Sequence, residues 1–143
     1  MDHLAILSKK RKLLAKILSG EKTIESRWYT FKKTPYQNIA QGDCIYFKDS
    51  GCPVTARANV SGALFFENLN LGKIEKILEN YGKQIGIQKA YAKELAGKNF
   101  CTLIFINDVQ KVEPFDIDKK GYGMMAAWIT INDISSIKKI SKQ

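Results

Sequence analysis

Residues 20–27 read Gly-Glu-Lys-Thr-Ile-Glu-Ser-Arg, and the fold prediction depends on this stretch more than on any other. It follows residues 9–18, in which leucine and isoleucine recur at helical spacing after Ser8, a residue that can cap a helix. Gly20 favours the left-handed conformation that ends such a helix. Residues 23–29 then alternate in the manner of a strand, with Ile, Ser and Trp on one face. The sequence therefore predicts an abrupt helix-to-strand turn at the motif.

Outward from this turn, short apolar runs alternate with turn signals along the chain. The further strands predicted by these runs span residues 3–7, 44–48, 54–66, 100–106, 112–117 and 126–131. Helical spacing indicates helices over residues 71–82 and 87–95, and residues 134–140 form a short helix or tail. Turns separate most strands, which is typical of a mixed, mainly antiparallel β-barrel. We therefore predict an α+β barrel of about six strands with two or three flanking helices.

Composition bounds the organisation of the chain and the kind of partner it takes. The 143 residues carry no repeat, low-complexity tract or linker, so we expect a single domain over residues 1–143. The formal net charge is +9, and residues 1–34 alone contain nine basic and three acidic groups. A clustered positive charge favours a polyanionic partner such as nucleic acid, although lysine-rich faces are often simply solvated.

Cysteine and histidine content argues against several classes of chemistry. The three cysteines Cys44, Cys52 and Cys101 form neither a disulfide framework nor a zinc pattern, and Cys101 lies in an apolar run typical of a core. His3 is the only histidine, which disfavours a Ser/His/Asp or Cys/His triad, and no cofactor or metal site is visible. The chain shows neither a signal-peptide pattern nor an apolar run of about 20 residues, so we expect a cytoplasmic protein without membrane contact.

The Gly-x-Lys-x-x-Glu-x-Arg pattern of residues 20–27 resembles the signature of the ASCH domain, which belongs to the PUA-like superfamily. Gly42-Asp43 before an apolar strand resembles the start of a strand in PUA-like barrels. Residues 114–129 resemble the closing part of small stand-alone ASCH proteins. Together these segments span almost the whole chain, and the resemblance implies a PUA-like barrel that binds RNA or a nucleotide-like ligand in a basic cleft.

The motif supplies four candidate ligand-binding residues. Gly20 allows the sharp turn, and Lys22 stands at that turn as a point charge. Glu25 and Arg27 are two residues apart on a strand, so they project from one face about 7 Å apart. Glu25 suits a base edge and Arg27 suits a phosphate group. The alternative is an internal salt bridge among Lys22, Glu25 and Arg27 that only joins strand to helix.

Residues outside the motif complete the predicted site. Lys119, Lys120 and Tyr122 form a glycine-rich loop that suits phosphate contact and base stacking, or serves as a plain turn. Lys48 ends a predicted strand and is a candidate for the cleft wall. An exposed aromatic side chain within residues 29–36 is a further stacking candidate, whereas both tryptophans are expected in the core.

Three functions remain open at this stage. The resemblance favours RNA or nucleotide binding. It also raises a small hydrolase that acts on modified nucleosides or RNA, with Lys22 as proton shuttle, Glu25 as general acid/base and Arg27 as anion clamp. Related amidohydrolases use a Lys, a Thr and a Glu, but Glu25 occupies the position of their threonine, which weakens that assignment. The third function is a non-catalytic protein-interaction domain, and the oligomeric state is left open.

Overall fold

A six-stranded mixed sheet, curled into a half-barrel, forms the centre of the computed structural model, which describes residues 1–123 and 125–139. Its strands are β1 (Asp2–Leu7), β2 (Ile24–Tyr29), β3 (Cys44–Asp49), β4 (Val54–Phe66), β5 (Phe100–Phe115) and β6 (Trp128–Ile131). The spatial order is β2-β5-β4-β3-β1-β6. Strands β1 and β3 pair in parallel, and the other neighbouring pairs are antiparallel. The predicted α+β architecture with a mixed, mainly antiparallel sheet is confirmed.

Two α-helices and three short 3₁₀ helices flank the sheet in the described part of the chain. They are α1 (Leu13–Ser19), α2 (Leu71–Ile85), and 3₁₀ helices at Lys9–Arg11, Lys89–Leu95 and Ile134–Ile137. The helix predicted over residues 87–95 is thus a 3₁₀ helix, and the predicted C-terminal segment is one short turn, with Ile140 outside the described residues. No helix within residues 1–123 and 125–139 is long and apolar enough to cross a membrane.

The helix predicted over residues 9–18 is interrupted at Lys12. Lys12 adopts a left-handed conformation with φ of 54°, and Ser8 makes no side-chain cap. Four consecutive cations repel one another, and positive charge at a helix N-terminus opposes the helix dipole, so a continuous helix is disfavoured here. The break separates the Lys9–Arg11 turn from α1.

The two strands predicted over residues 100–106 and 112–117 form the single strand β5. Register shifts against β4 absorb the polar interruption at Asp108, whose φ is 53°. Pro114 lies beside an irregular stretch of the β4 pairing, where Val54 faces Phe115 and Ala56 faces Lys111. A proline without an N–H is tolerated at such a bulge because no regular ladder bond is lost.

Apolar side chains pack on both surfaces of the curled sheet and hold β2 in place. Ile17 of α1 belongs to one buried cluster with Phe47 and Ile104, while Ile74 of α2 belongs to the cluster around β2 and the start of β5. Each fully buried side chain of this size contributes about 1.5–3 kcal/mol. Cys101 is fully buried in the second cluster, where burial raises the pKa of its thiol, so its prediction as a core residue is confirmed.

The end of α2 turns tightly at Gly82, whose carbonyl accepts hydrogen bonds from the Gly86 and Ile87 amides at 2.8 and 3.0 Å. A Cβ at residue 82 would lie 2.6 Å from the Ile87 carbonyl oxygen. We expect Gly82→Ala to lower the free energy of unfolding by about 1–3 kcal/mol in urea denaturation, because backbone must move.

Gly72→Ala in the same helix is the matched control. Its Cβ would meet only the Asn70 side chain at 3.4 Å, so the added helix propensity should leave stability unchanged or raise it by up to about 1 kcal/mol. Equal unfolding free energies for the two variants would contradict this account of the turn.

Candidate functional site

The Arg27 side chain joins the two edges of the curled sheet. Its Nη1 donates to the Ala127 carbonyl at 3.2 Å, and its Nη2 donates to the Ile6 carbonyl at 3.3 Å. The Ala127 carbonyl also accepts from the Ile6 amide at 2.9 Å. The guanidinium carbon lies 5.0 Å from the ring centroid of Trp128, within range of a cation–π contact. Arg27 therefore connects β2 to β1 and to the chain just before β6.

A cleft of about 280 Å³ opens beside this connection, and we call it the seam cleft. Its polar and charged lining residues are Ser8, Arg11, Glu25, Ser26, Arg27, Tyr29 and Lys98. Apolar wall comes from the end of β1, from α1 and from Trp28. The structure thus brings together two of the residues predicted for the site, Glu25 and Arg27, as the alternation of strand β2 required.

Glu25 and Arg27 leave two buried polar atoms without a hydrogen-bond partner among the described residues. Glu25 is 3% exposed, and its Oε1 accepts from the Ser26 amide at 3.1 Å and lies 3.7 Å from the Arg27 Nε. The second carboxylate oxygen, Oε2, is unpaired, and the Arg27 Nε makes no hydrogen bond. Two residues that line the seam cleft therefore contribute one acceptor atom and one donor atom that are buried and make no hydrogen bond.

Lys22 lies outside the lining of the seam cleft, in the adjacent protein interior. It is 3% exposed, and its Nζ donates to the carbonyls of Ile24 at 2.7 Å and Ile85 at 2.6 Å. Burial lowers the pKa of this ammonium group, and the charge of Glu25 partly opposes that shift. Lys22 therefore joins the start of β2 to the end of α2 through backbone carbonyls, and not through the salt bridge with Glu25 and Arg27 that the sequence left open as an alternative.

Gly20 shapes the path of the chain without lining the cleft. It ends α1 with a φ of 82°, and its amide donates to the Ile17 carbonyl at 3.2 Å. The Lys22 amide then donates to the Lys16 carbonyl at 3.0 Å. The left-handed residue lets the chain fold back on α1 and enter β2 directly, in agreement with the predicted turn.

The predicted basic loop lies apart from the lining of the seam cleft but is tied to the same backbone. Lys119 Nζ donates to the Ala126 carbonyl at 2.9 Å, next to the carbonyl that Arg27 holds. Lys48 is buried to 9% exposure, and burial together with the charge of Lys119 lowers its pKa. Lys120 and Tyr122 are exposed on the turn. Lys48 and these loop residues, although predicted for the site, therefore do not line the seam cleft.

The aromatic candidates separate into buried and accessible residues. Tyr29 and Trp28 line the seam cleft and are half-buried. Phe31 is 78% exposed, whereas Tyr36 is 6% exposed and packs in the protein. Trp128 is 5% exposed, as expected of a core residue. Tyr29 and Phe31 are thus the accessible aromatic side chains of the predicted segment.

Two features were not predicted from the sequence. Arg11 and Lys98 line the seam cleft although they are distant in sequence from each other and from the motif, and no local signal marks Lys98. His3 is fully buried, and its Nε2 lies 2.8 Å from Asp43 Oδ2, while burial lowers the pKa of the ring.

The other nitrogen of His3, Nδ1, is shared between two neighbours. It accepts from Trp128 Nε1 at 3.2 Å and lies 3.1 Å from Thr130 Oγ1. An Nδ1 that accepts from the indole leaves Nε2 to donate to Asp43, so this set fixes the tautomer. Among residues 1–123 and 125–139, no three His, Cys, Asp or Glu side chains are grouped to hold a metal ion.

The fold is similar to several solved structures, although no protein-family model and no curated protein matches the chain. The crystal structure of ASCH from Zymomonas mobilis has a TM-score of 0.68 at 15% identity, covering 96% of both chains. A variant of that protein has a TM-score of 0.69, covering 96% of this chain and 99% of the other. The hypothetical protein PH0355 has a TM-score of 0.51 at 20% identity, covering 78% of this chain and all of the other.

These similarities identify the fold in two stages. The curled mixed sheet with its flanking helices is an α+β fold of the PUA-like type. Within that class the chain has the ASCH-domain fold, since the Zymomonas mobilis ASCH structures align over nearly its full length. The resemblance found in the motif is thereby confirmed at the level of the fold.

The buried Lys22 predicts a pH-dependent contribution to stability. Replacing it in Lys22→Met leaves the Ile24 and Ile85 carbonyls unpaired, so the free energy of unfolding should fall by about 1–3 kcal/mol at neutral pH. The pKa of Lys22 in the folded protein is lowered from 10.5, so between the folded-state and unfolded-state pKa values the unfolded chain binds more protons than the folded one. The contribution of Lys22 to the free energy of unfolding therefore rises with pH up to about 10.5.

Urea denaturation of wild type and Lys22→Met at several pH values tests this account. The difference between their unfolding free energies should widen as the pH approaches the unfolded value of about 10.5. The exposed Lys83→Met in α2 is the control and should show no such widening. A constant or narrowing difference for Lys22→Met would contradict the buried-ammonium account.

Proposed function

We propose that the protein binds RNA by inserting one unpaired base into the seam cleft. The observation that carries this proposal is that two residues lining the cleft have buried atoms without hydrogen-bond partners, Glu25 Oε2 and Arg27 Nε. Buried polar atoms without partners are uncommon in folded proteins, and each one requires a physical explanation. A ligand that donates to the first atom and accepts from the second would satisfy both.

Nucleobase edges have this combination of groups. The hydrogen-bonding edge of a base carries N–H donors beside ring nitrogen or carbonyl acceptors. In RNA, such edges are accessible when the base is unpaired, and proteins then read them by hydrogen bonds and by aromatic stacking. Tyr29 and Trp28 also line the cleft and supply aromatic surface. The cleft is therefore suited to a base more than to a phosphate, which the Glu25 carboxylate would repel.

The charge around the cleft supports a polyanionic ligand. Arg11 and Lys98 lie on its lining. The chain as a whole carries a net charge of +9, with two thirds of it in residues 1–34. Phosphates that follow the bound base would meet these side chains and release counterions. A cytoplasmic location, where RNA is available, belongs to this same proposal.

The hydrolase alternative has less support from the geometry. It requires Lys22 to exchange protons with a substrate, yet the Lys22 ammonium is occupied by two backbone carbonyls outside the cleft lining. Glu25 does line the cleft, but the hydrolase mechanism also needs a lysine there, and Lys22 is not among the lining residues. Binding requires only the two free atoms and the basic rim, and we prefer it for that reason.

Fluorescence anisotropy with short single-stranded RNA tests the proposal through two substitutions. Glu25→Gln keeps the size of the side chain but removes a charged acceptor, and we expect affinity to fall about 10- to 150-fold. Lys98→Ala should weaken binding and reduce the slope of log K against log salt by about 0.7, the value for one phosphate contact on a single strand.

Glu113→Gln and Lys111→Ala are the matched controls, because both residues are exposed on β5 and neither lines the seam cleft. These variants should bind like wild type. The proposal is wrong if wild type does not bind single-stranded RNA, or if the cleft variants bind as tightly as the controls. Circular dichroism of each variant verifies that the fold is retained.

A further inference from the structure

We infer that the RNA continues from the seam cleft across Arg11 and places a neighbouring base on Tyr91 in a second cavity. This inference rests on the proposed function and specifies its ligand as an unpaired stretch of at least two nucleotides. The second cavity has a volume of about 390 Å³, and we call it the Tyr91 pocket. Arg11, Gln88, Tyr91 and Glu94 supply its polar lining.

Arg11 belongs to the walls of both cavities, which makes them neighbours along one path. It lines the seam cleft together with Glu25 and Arg27, and it lines the Tyr91 pocket together with Gln88 and Glu94. The break at Lys12 separates the short turn that carries Arg11 from α1. A cation at the boundary between two cavities is suited to the phosphate that links two bases.

Tyr91 offers an accessible aromatic surface on the far side of Arg11. Its side chain is 42% exposed, unlike the buried Tyr36. The Arg11 guanidinium carbon lies 5.9 Å from the centroid of the Tyr91 ring, at the outer limit of a cation–π contact. Exposed tyrosines beside arginine are a common platform for stacked bases, and this contact is tolerant of base identity.

The other polar residues of the Tyr91 pocket favour a base over a phosphate. Glu94 is a carboxylate, so it repels phosphate but accepts hydrogen bonds from the amino or imino groups of a base. Gln88 can donate and accept through its side-chain amide. The two cavities therefore share one arrangement: an acidic acceptor beside an aromatic wall, with Arg11 between them. This arrangement fits the alternation of base, phosphate and base in a single strand.

Binding of uridine monophosphate and of single-stranded oligouridylates of increasing length tests this inference. We expect Tyr91→Ala and Arg11→Ala to weaken the binding of oligonucleotides about 5- to 150-fold, the effect of losing one stacked base or one phosphate contact. Tyr91→Ala should change monophosphate affinity by less than about 2-fold, because a monophosphate occupies only the seam cleft. Arg11→Ala should weaken the monophosphate as well, since Arg11 lines both cavities. Tyr91→Phe retains the ring and should restore oligonucleotide binding.

Arg57→Ala is the matched control for Arg11→Ala. Arg57 also lies over a tyrosine ring, 5.7 Å from the centroid of Tyr46, but it lines neither cavity. Both substitutions remove the same charge and the same kind of contact, so any difference between them reports the position of Arg11. Glu25→Gln is included in the same series, since it should weaken ligands of every length.

The outcomes separate the two proposals. If Glu25→Gln weakens all ligands while Tyr91→Ala and Arg11→Ala bind oligonucleotides no worse than Arg57→Ala does, the seam cleft stands and the Tyr91 pocket is refuted. If wild type binds none of the ligands, the proposed function itself fails. Loss of oligonucleotide binding in Tyr91→Ala that Tyr91→Phe does not recover would also overturn the inference, because stacking would not explain it.

Discussion

The hydrogen bonds of Arg27 to the Ala127 and Ile6 carbonyls hold the seam of the curled sheet, and the candidate site depends on them. Strand β2 is at one edge of the sheet, and β6 is at the other. Among the described residues, β2 and β6 do not pair with each other, and the Arg27 side chain connects the two edges instead. Each terminal nitrogen of the guanidinium donates to one backbone carbonyl, and Nε, which lies 3.7 Å from Glu25 Oε1, makes no hydrogen bond.

The buried charged groups near Arg27 differ in whether their polar atoms have hydrogen-bond partners, and this difference separates structural groups from candidate ligand-binding groups. Lys22 is as buried as Glu25, but its ammonium has two carbonyl partners, whereas one oxygen of Glu25 has none. Burying a charged group without full compensation is unfavourable, so a fold maintains it only where the surrounding packing enforces the geometry. The cores on both surfaces of the sheet supply that packing. The unpaired atoms of Glu25 and Arg27 are therefore the part of the motif that points to a ligand.

The sequence predicted those parts of the structure that depend on local periodicity. Alternation along residues 23–29 correctly placed Glu25 and Arg27 on one face, and Gly20 correctly marked the end of α1. The inward direction of Lys22 was not predictable, because its partner Ile85 is 63 residues away in sequence. Arg11 and Lys98 were missed for the same reason, since the tertiary fold alone brings them to the cleft. The single strand β5 was predicted as two because bulges hide its continuity.

Basic and aromatic residues extend the candidate site from the seam cleft to the Tyr91 pocket. Arg11 lies between the seam cleft and the Tyr91 pocket, and the break at Lys12 separates its turn from α1. The same four-cation run that prevents a continuous helix thus supplies the charge at the boundary. In the basic loop, Lys119 Nζ donates to the Ala126 carbonyl and so holds the chain just before β6. The four consecutive cations at residues 9–12 thus account both for the break before α1 and for the charge between the two cavities.

The most direct measurement is an NMR titration of the arginine Nε–H resonances with short single-stranded RNA. The chain contains three arginines, Arg11, Arg27 and Arg57, and Arg27→Lys assigns the relevant signal by its disappearance. The account predicts a saturable shift of the Arg27 Nε–H resonance, because a ligand acceptor becomes its partner, and no shift of the Arg57 resonance. RNA binding that leaves the Arg27 Nε–H resonance unmoved would contradict the central claim.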